Sequence, residues 1–251
     1  MKAFPSRTWV LRLLTLALSL GLLSGCATVH EMGVDRNTKT LALDGKGLVL
    51  MSLQVSNAYK PEYQPQVIVA HVETPNADTQ EDRHNYKTDL DGTVSSGGGA
   101  RYLLRMELPP GKYVIRGATC MYQSLFLVAS CQLPIHADIE VSANTVTYLG
   151  RVSGVMRERQ EGEFRAGPVI PLVDQAVTGF SGSTFDVVIS DEREEDLKSY
   201  RMLFPALANA DIGIAIAPPF NRERAHAWWD SNGQSDTVGA RNETKESKPV
   251  L

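Results

Sequence analysis

The segment Ile135–Val141 alternates between apolar and polar residues, and this period of two constrains the fold more than any other feature. The apolar set is Ile135, Ala137, Ile139 and Val141, and the polar set is His136, Asp138 and Glu140. Such alternation is typical of a strand with one buried face and one solvated face. We therefore expect His136 and Asp138 to share the solvated face, where a metal site is a minor alternative.

Further apolar segments recur at intervals of roughly ten residues and are separated by turn signals such as Pro109-Pro110-Gly111. The predicted strands are Gly47–Ser56, Gln66–Glu73, Tyr102–Leu108, Lys112–Ala118, Thr145–Arg151, Thr184–Ile189 and Asp211–Ala217. This spacing predicts a mainly β fold, an antiparallel β-sandwich with one C-terminal amphipathic helix. Residues 74–100 are polar and long for a loop, and they indicate either a surface excursion or a short hairpin.

The helix is predicted to begin at Asp191 and to end before Pro205. Asp191 and Glu194 have the spacing of a capping box. The apolar stripe that faces the sandwich is Leu197, Tyr200, Leu203 and Phe204. The acidic side chains within residues 191–196 suit a helix N-terminus, where the helix dipole favours negative charge, and a cation site is a minor alternative.

Leu23-Ser24-Gly25-Cys26 closes a short apolar run that follows a basic start. The run Leu13–Leu23 is shorter than the about 20 residues that a membrane-spanning helix needs. A basic start, a short apolar core and small residues before Cys26 resemble a bacterial lipoprotein signal peptide that ends in a lipobox. An ordinary signal peptide that happens to contain a cysteine is the alternative.

This resemblance implies that residues 1–25 are removed and that Cys26 becomes a lipidated N-terminus, so that a lipid anchor attaches the protein to the membrane. Ala27 after the cysteine implies the outer membrane, with the protein facing the periplasm. The predicted organisation is a signal peptide (1–25), a lipidated N-terminus and tether (26–45), a β-sandwich (46–151), C-terminal strands and a helix packed on it (152–230), and a disordered tail (231–251).

Removal of residues 1–25 changes both the charge and the cysteine count. The loss of Lys2, Arg7 and Arg12 leaves 22 basic residues against 29 acidic ones, a net charge of −7, which argues against nucleic acid as a partner. With Cys26 lipidated, Cys120 and Cys131 are the remaining cysteines, and an exported protein meets an oxidising compartment. They form either a disulfide or two buried free thiols, and they do not have the spacing of a zinc site.

The segment Leu108–Ile115 has the pattern L-x-P-G-x-Y-x-hydrophobic. In that pattern it resembles the hairpin of transthyretin-like and carboxypeptidase-regulatory-like sandwiches. Ile139–Val141 and Val146–Leu149 are similar to the two strands that close such a domain. The resemblance covers roughly residues 45–151 and implies a non-catalytic β-domain.

Two motifs resemble catalytic signatures but lack the secondary structure that normally flanks those signatures. Asp89–Thr93 matches the D-x-D-G-T motif of haloacid-dehalogenase-type phosphatases, but no buried strand precedes it, so a turn is the better interpretation and a calcium loop a weak one. Gly179–Ser183 approaches a nucleophile elbow but lacks the final glycine. We therefore expect no enzyme activity, no catalytic residues, no cofactor and no resident metal.

Trp228 and Trp229 are the remaining candidates for binding. Adjacent side chains point in different directions, so one can fill the core while the other faces a partner. The function that we expect is a binding or assembly accessory in the cell envelope, with an unknown envelope protein as its partner. A binding module for envelope glycan or peptidoglycan is the alternative, and a hydrolase is a third.

Replacement of the proposed lipidation residue tests the anchor. We expect Cys26→Ala to leave an unprocessed or a soluble protein, because acylation and cleavage both require the thiol. Membrane fractionation of cells, together with the mass of the N-terminal peptide, measures the outcome. A processed variant that still sediments with membranes contradicts the lipobox.

Overall fold

The computed structural model describes residues 29–96, 99–169 and 175–231, in which two β-sheets pack face to face. The strands are β1 (Val29–His30), β2 (Gly47–Asn57), β3 (Gln66–Glu73), β4 (Arg83–Lys87), β5 (Thr93–Ser96), β6 (Gly99–Leu108), β7 (Gly111–Gln123), β8 (Val128–Val141), β9 (Val146–Glu158), β10 (Ser183–Ser190) and β11 (Ile212–Ile214). The helices are α1 (Arg193–Leu203) and α2 (Arg222–Ser231), and a 3-10 turn (Pro205–Leu207) follows α1.

The first sheet has the strand order β1-β4-β3-β7-β8, and the second has the order β10-β9-β2-β6-β5, with β11 added beside β9. The mainly β sandwich is therefore confirmed. Most neighbours are antiparallel as predicted, but β2 runs parallel to β9, as do β1 to β4 and β11 to β9. The β2–β9 pair joins strands far apart in the chain, a relation that no local turn signal encodes.

The turn at Pro109-Pro110 does not close a hairpin. It carries the chain from β6 in the second sheet to β7 in the first, so the predicted turn is present but its two strands do not pair. The polar segment 74–100 also connects the two sheets. It contains β4, which pairs with β3, and β5, which pairs with β6, so it crosses between the sheets.

Strand β2 is buried on both of its faces. Val49, Met51 and Leu53 face the space between the sheets, whereas Leu48 and Leu50 face a second apolar cluster on the outer side. This double burial explains why the sequence of β2 is almost continuously apolar and does not alternate. Burial of each such side chain contributes about 1.5–3 kcal/mol, so the outer face of this sheet needs a cover.

Helix α1 supplies much of that cover. Tyr200 and Phe204 are fully buried against the sheet, and the Tyr200 hydroxyl lies 2.8 Å from the Met51 carbonyl oxygen and 2.9 Å from that of Leu104. Burial raises the pKa of the Tyr200 phenol. The predicted apolar stripe is therefore the docking face of the helix.

The predicted capping box is wrong. The helix begins at Arg193 after Glu192, which makes no side-chain capping bond. The Asp191 carboxylate instead accepts hydrogen bonds from Arg193, its neighbour two residues later. The Arg193 backbone amide also donates to Asp191 Oδ1, at 3.3 Å, so Arg193 binds Asp191 through both its side chain and its backbone.

A buried ion cluster joins α1 to the sheet. Asp196 is completely buried and accepts a 2.7 Å hydrogen bond from the Tyr148 hydroxyl. Arg151 forms an ion pair with the same carboxylate, and Arg101 lies 3.4 Å from it. The acidic residues at this helix end therefore have structural partners across the sheet, in addition to the helix dipole.

The segment from Val29 onward is part of the folded structure rather than a tether. Strand β1 pairs with β4, the Gly33 amide donates a 2.8 Å hydrogen bond to the Arg105 carbonyl oxygen, and Val34 is buried. Strand β9 also runs through the expected boundary at residue 151, so the strands on either side of it share one sheet. Residues 1–25, Cys26 and residues 232–251 lie outside the described residues.

Strands β7 and β8 form a long hairpin in which Cys120 and Cys131 are direct cross-strand neighbours. Their Cα atoms are 4.9 Å apart, their sulfur atoms lie at bonding distance, and both residues are fully buried. The pairing of the two strands thus brings the thiols together at the core face of the first sheet.

Loss of this link is expected to destabilise the protein. A disulfide between residues 11 positions apart restricts the unfolded chain by about 3 kcal/mol in the chain-entropy model. The double variant Cys120→Ala/Cys131→Ala should therefore lower the free energy of unfolding by roughly that amount, measured by urea denaturation. Parent protein that unfolds at the same urea concentration with and without reductant contradicts the link.

Candidate functional site

A cavity of about 220 Å³ lies between the outer face of the first sheet and α2. Strands β3, β4, β7 and β8 supply its polar floor, and an aromatic wall comes from α2 and from the segment before β10. Its lining includes Glu73, Arg83, Asn85, Arg116, His136 and Trp228. Concave sites with apolar walls and a few convergent polar groups are the usual form of a ligand site.

Helix α2 covers a face that the sequence predicts to be solvated. The Arg224 guanidinium binds the Asp138 carboxylate through two hydrogen bonds of 2.7 and 2.8 Å. The Trp228 ring lies 5.3 Å from the His136 ring, centroid to centroid. His136 is only 4% exposed, so the expectation of a solvated His136 is wrong, whereas Asp138 remains exposed at its ion pair.

A β-bulge sets the position of His136. The β7–β8 register shifts between Ile115 and Gly117, and His136 adopts a left-handed backbone with φ of 51°. A Cβ atom on Gly117 would lie 2.1 Å from the Leu133 carbonyl oxygen, so this position requires glycine. The left-handed backbone costs a non-glycine residue about 1 kcal/mol, and such strain in a bulge is a recognised pointer to function.

Glu73, Arg116 and His136 form a chain of polar contacts across three strands. The Arg116 guanidinium binds the Glu73 carboxylate, and its Nη1 lies 3.3 Å from His136 Nδ1. A guanidinium can only donate, so His136 Nδ1 accepts and the neutral ring carries its proton on Nε2. Burial, with Arg116 and Arg224 nearby, lowers the pKa of His136 to about 4.

A second chain of contacts runs through His71. Its Nδ1 lies 2.7 Å from Asn85 Oδ1, and its Nε2 lies 2.7 Å from Thr119 Oγ1. A hydroxyl, an imidazole and an orienting oxygen in line have the connectivity of an activated nucleophile. His71 and Asn85 line the main cavity, but Thr119 lines a smaller neighbouring one.

Positive charge predominates around the cavity. Among the described residues that line it, Arg83, Arg116 and Arg165 are cationic and Glu73 is acidic. The Arg83 guanidinium donates one hydrogen bond, to the Ala77 carbonyl oxygen at 3.3 Å. Within the described part of the chain, no carboxylate forms a salt bridge with Arg83.

The two predicted binding tryptophans have different environments. Trp229 is buried and lies 6.4 Å from Phe164, centroid to centroid, as part of the main core. Trp228 is half-buried and lines the cavity beside His136. The structure therefore brings Trp228 to the candidate site and makes Trp229 chiefly a core residue.

The D-x-D-G-T segment forms a turn between the sheets. Asp89 Oδ1 accepts a 2.7 Å hydrogen bond from the Gly92 amide, and its carboxylate is paired with the buried Arg105. Gly179–Ser183 leads into β10 and not into a helix. In the described ranges, no group of three or more His, Cys, Asp or Glu side chains is arranged to hold a metal ion.

Comparison with protein-family models, with curated proteins and with solved structures finds no match to this chain. No helix within residues 29–96, 99–169 and 175–231 is long and apolar enough to cross a membrane.

Several residues of the site escape sequence analysis because strand register brings them together. Alternation in β3 places His71 and Glu73 on one face, a signal that is readable in the sequence. Their partners Asn85 and Arg116 come from β4 and β7, and only the cross-strand register reveals those contacts.

The lowered pKa of His136 predicts a pH-dependent stability. An unfolded histidine binds a proton near pH 6.5, whereas folded His136 does so only near pH 4, so the unfolded state binds more protons between those values. The free energy of unfolding therefore falls as the pH drops from about 6.5 to 4.

His136→Asn tests this, because asparagine tolerates the left-handed backbone and does not titrate. On going from pH 7 to pH 4.5, the variant should lose about 2 kcal/mol less than the parent, measured by urea denaturation at both pH values. Equal losses in the two proteins contradict the assignment.

Proposed function

We propose that this chain is a lipid-anchored, non-catalytic binding protein of the bacterial cell envelope, and that the cavity beneath α2 is its ligand site. The observation that carries the binding role is the strained His136 in a bulge beneath Trp228. The left-handed backbone of His136 is strained, whereas glycine would adopt the same backbone without strain. The imidazole is therefore held at this position at a conformational cost.

The anchor and the compartment are supported by the sequence. Leu23–Cys26 has the lipobox pattern, and Cys120 and Cys131 lie at disulfide distance, as suits an oxidising compartment. The sandwich agrees with the resemblance to transthyretin-like domains in fold class alone, because the turn within Leu108–Ile115 joins the two sheets and does not close a hairpin. These observations favour an outer-membrane protein that faces the periplasm, with a ligand or a partner that is presented there.

Binding of an extended envelope glycan is supported less well. Such a polymer usually needs aromatic side chains along an open surface, and Trp229 is buried against the core. Trp228 provides a single aromatic wall in a cavity of limited volume. The geometry therefore favours a small ligand, or one end group of a larger one.

Hydrolysis is the second candidate because Thr119, His71 and Asn85 are hydrogen-bonded in line. The three residues lie on neighbouring strands of one sheet, so the register alone brings them together. Thr119 lines the smaller cavity and is not among the described residues that line the main one. Binding therefore ranks ahead of catalysis.

Photo-crosslinking in intact cells tests the binding role. A photoreactive p-benzoylphenylalanine in place of Trp228 should form adducts with whatever occupies the cavity, identified by mass spectrometry. The control carries the same group in place of Met202, which is 72% exposed on α1 over the other sheet. Adducts at position 228 that are absent at position 202 are the expected result.

Identical adduct patterns at the two positions contradict a ligand site under α2. Membrane fractionation of the same cells shows whether the anchor is intact. A failure of binding can therefore be separated from a failure of targeting.

A further inference from the structure

We propose that the cavity binds a small carboxylate that carries a ring, with the carboxylate at Arg83 and the ring against Trp228. The inference rests on the proposed binding function and adds the chemical class of the ligand. It follows from three properties of the cavity: an excess of hydrogen-bond donors, a guanidinium without a carboxylate partner among the described residues, and an aromatic wall.

The polar groups of the cavity are mainly donors. His136 Nδ1 accepts from Arg116, and its Nε2–H has no acceptor among the described residues. Asn85 uses its Oδ1 for His71, which leaves its amide N–H groups for a ligand. The Glu73 carboxylate is already bound to Arg116. A ligand that supplies acceptor oxygens complements this set.

Arg83 makes the preferred ligand an anion. It uses one N–H group for the Ala77 carbonyl oxygen, and Glu73, its direct cross-strand neighbour, is paired with Arg116 instead. A planar guanidinium with free N–H groups binds a carboxylate through two parallel hydrogen bonds. The charge of Arg116 is offset by Glu73, whereas no carboxylate among the described residues forms a salt bridge with Arg83, so an anionic ligand suits this position.

The remaining walls are apolar and partly aromatic. Trp228, Trp229 and Phe164 form one side of the cavity, and Ala225 leaves space between them and the sheet. A flat ring fills such a space by stacking or edge contact, and burial of its surface provides most of the binding free energy. The cavity of about 220 Å³ limits the ligand to about one ring with its substituents.

Isothermal titration calorimetry on the full chain in detergent compares two isosteric pairs. Benzoate and benzamide differ in charge at the same ring. N-acetylmuramic acid and its lactyl carboxamide differ in charge on the same sugar. The carboxylate of the preferred pair should bind at least about tenfold more tightly than its neutral isostere, a difference of about 1.4 kcal/mol. The pair that binds identifies an aromatic acid or an acidic amino sugar as the source of the ring.

The variant Arg83→Gln should weaken binding of the carboxylate by about tenfold, because the guanidinium is the group that binds its negative charge. Binding of the neutral isostere should stay unchanged. The matched control is Arg201→Gln, since Arg201 is also exposed and also donates one hydrogen bond to a backbone carbonyl, that of Ala210. This control should bind like the parent.

The outcomes separate the inference from the proposed function. Equal affinities within both pairs, no effect of Arg83→Gln, or inorganic phosphate that binds as tightly as benzoate each overturn the carboxylate assignment. Crosslinks at position 228 together with any of these results leave a binding protein for another ligand. No binding of either carboxylate and no crosslinks at position 228 overturn both proposals.

Discussion

The burial of β2 on both faces is the constraint on which the rest of the structure depends. Leu48 and Leu50 make the outer side of the second sheet apolar, so this sheet cannot face water as one side of an ordinary sandwich does. Helix α1, the 3-10 turn after it and Val34 provide the missing layer. The layer also encloses Arg105, whose guanidinium lies 4.2 Å from the centre of the Phe204 ring and binds the Val34 carbonyl oxygen at 2.8 Å. An apolar cover and a satisfied buried cation thus come from the same segments.

The outer face of the first sheet differs from that of the second in its polarity. Its residues are polar, and α2 approaches them through an ion pair and an aromatic contact, with Ala225 and Trp229 as its buried positions. Polar floors do not interdigitate with a helix as closely as apolar ones, because each polar group must keep a partner. Space therefore remains beneath α2, and it is bordered by the groups best able to bind a ligand. One side of the sandwich is closed for stability, and the other keeps a cavity.

The sequence predicts what depends on local pattern and misses what depends on register. Gln66–Glu73 is predicted with its observed bounds, and the docking face of α1 follows from its apolar spacing. Helix α2 has no such stripe. It is attached through contacts that Arg224 and Trp228 make with Asp138 and His136, which are distant in the chain. The prediction that His136 is exposed fails for the same reason. Alternation places His136 on the polar face, but only the tertiary structure shows that a helix covers that face. The parallel pairing of β2 with β9 is likewise not encoded by any turn.

The pairing of β1 with β4 fixes how far the sandwich can move from its attachment point. Val29 lies three positions after Cys26, and even a fully extended chain spans only about 11 Å over that distance. The cavity floor begins at β4 and β3, the next strands in the sheet, which are spaced at about 4.8 Å. With Cys26 acylated, the binding site therefore lies within a few nanometres of the lipid headgroups. Under the proposed lipid anchor, the site would sample ligands at the surface of its own membrane, and ligands farther away would have to diffuse to it.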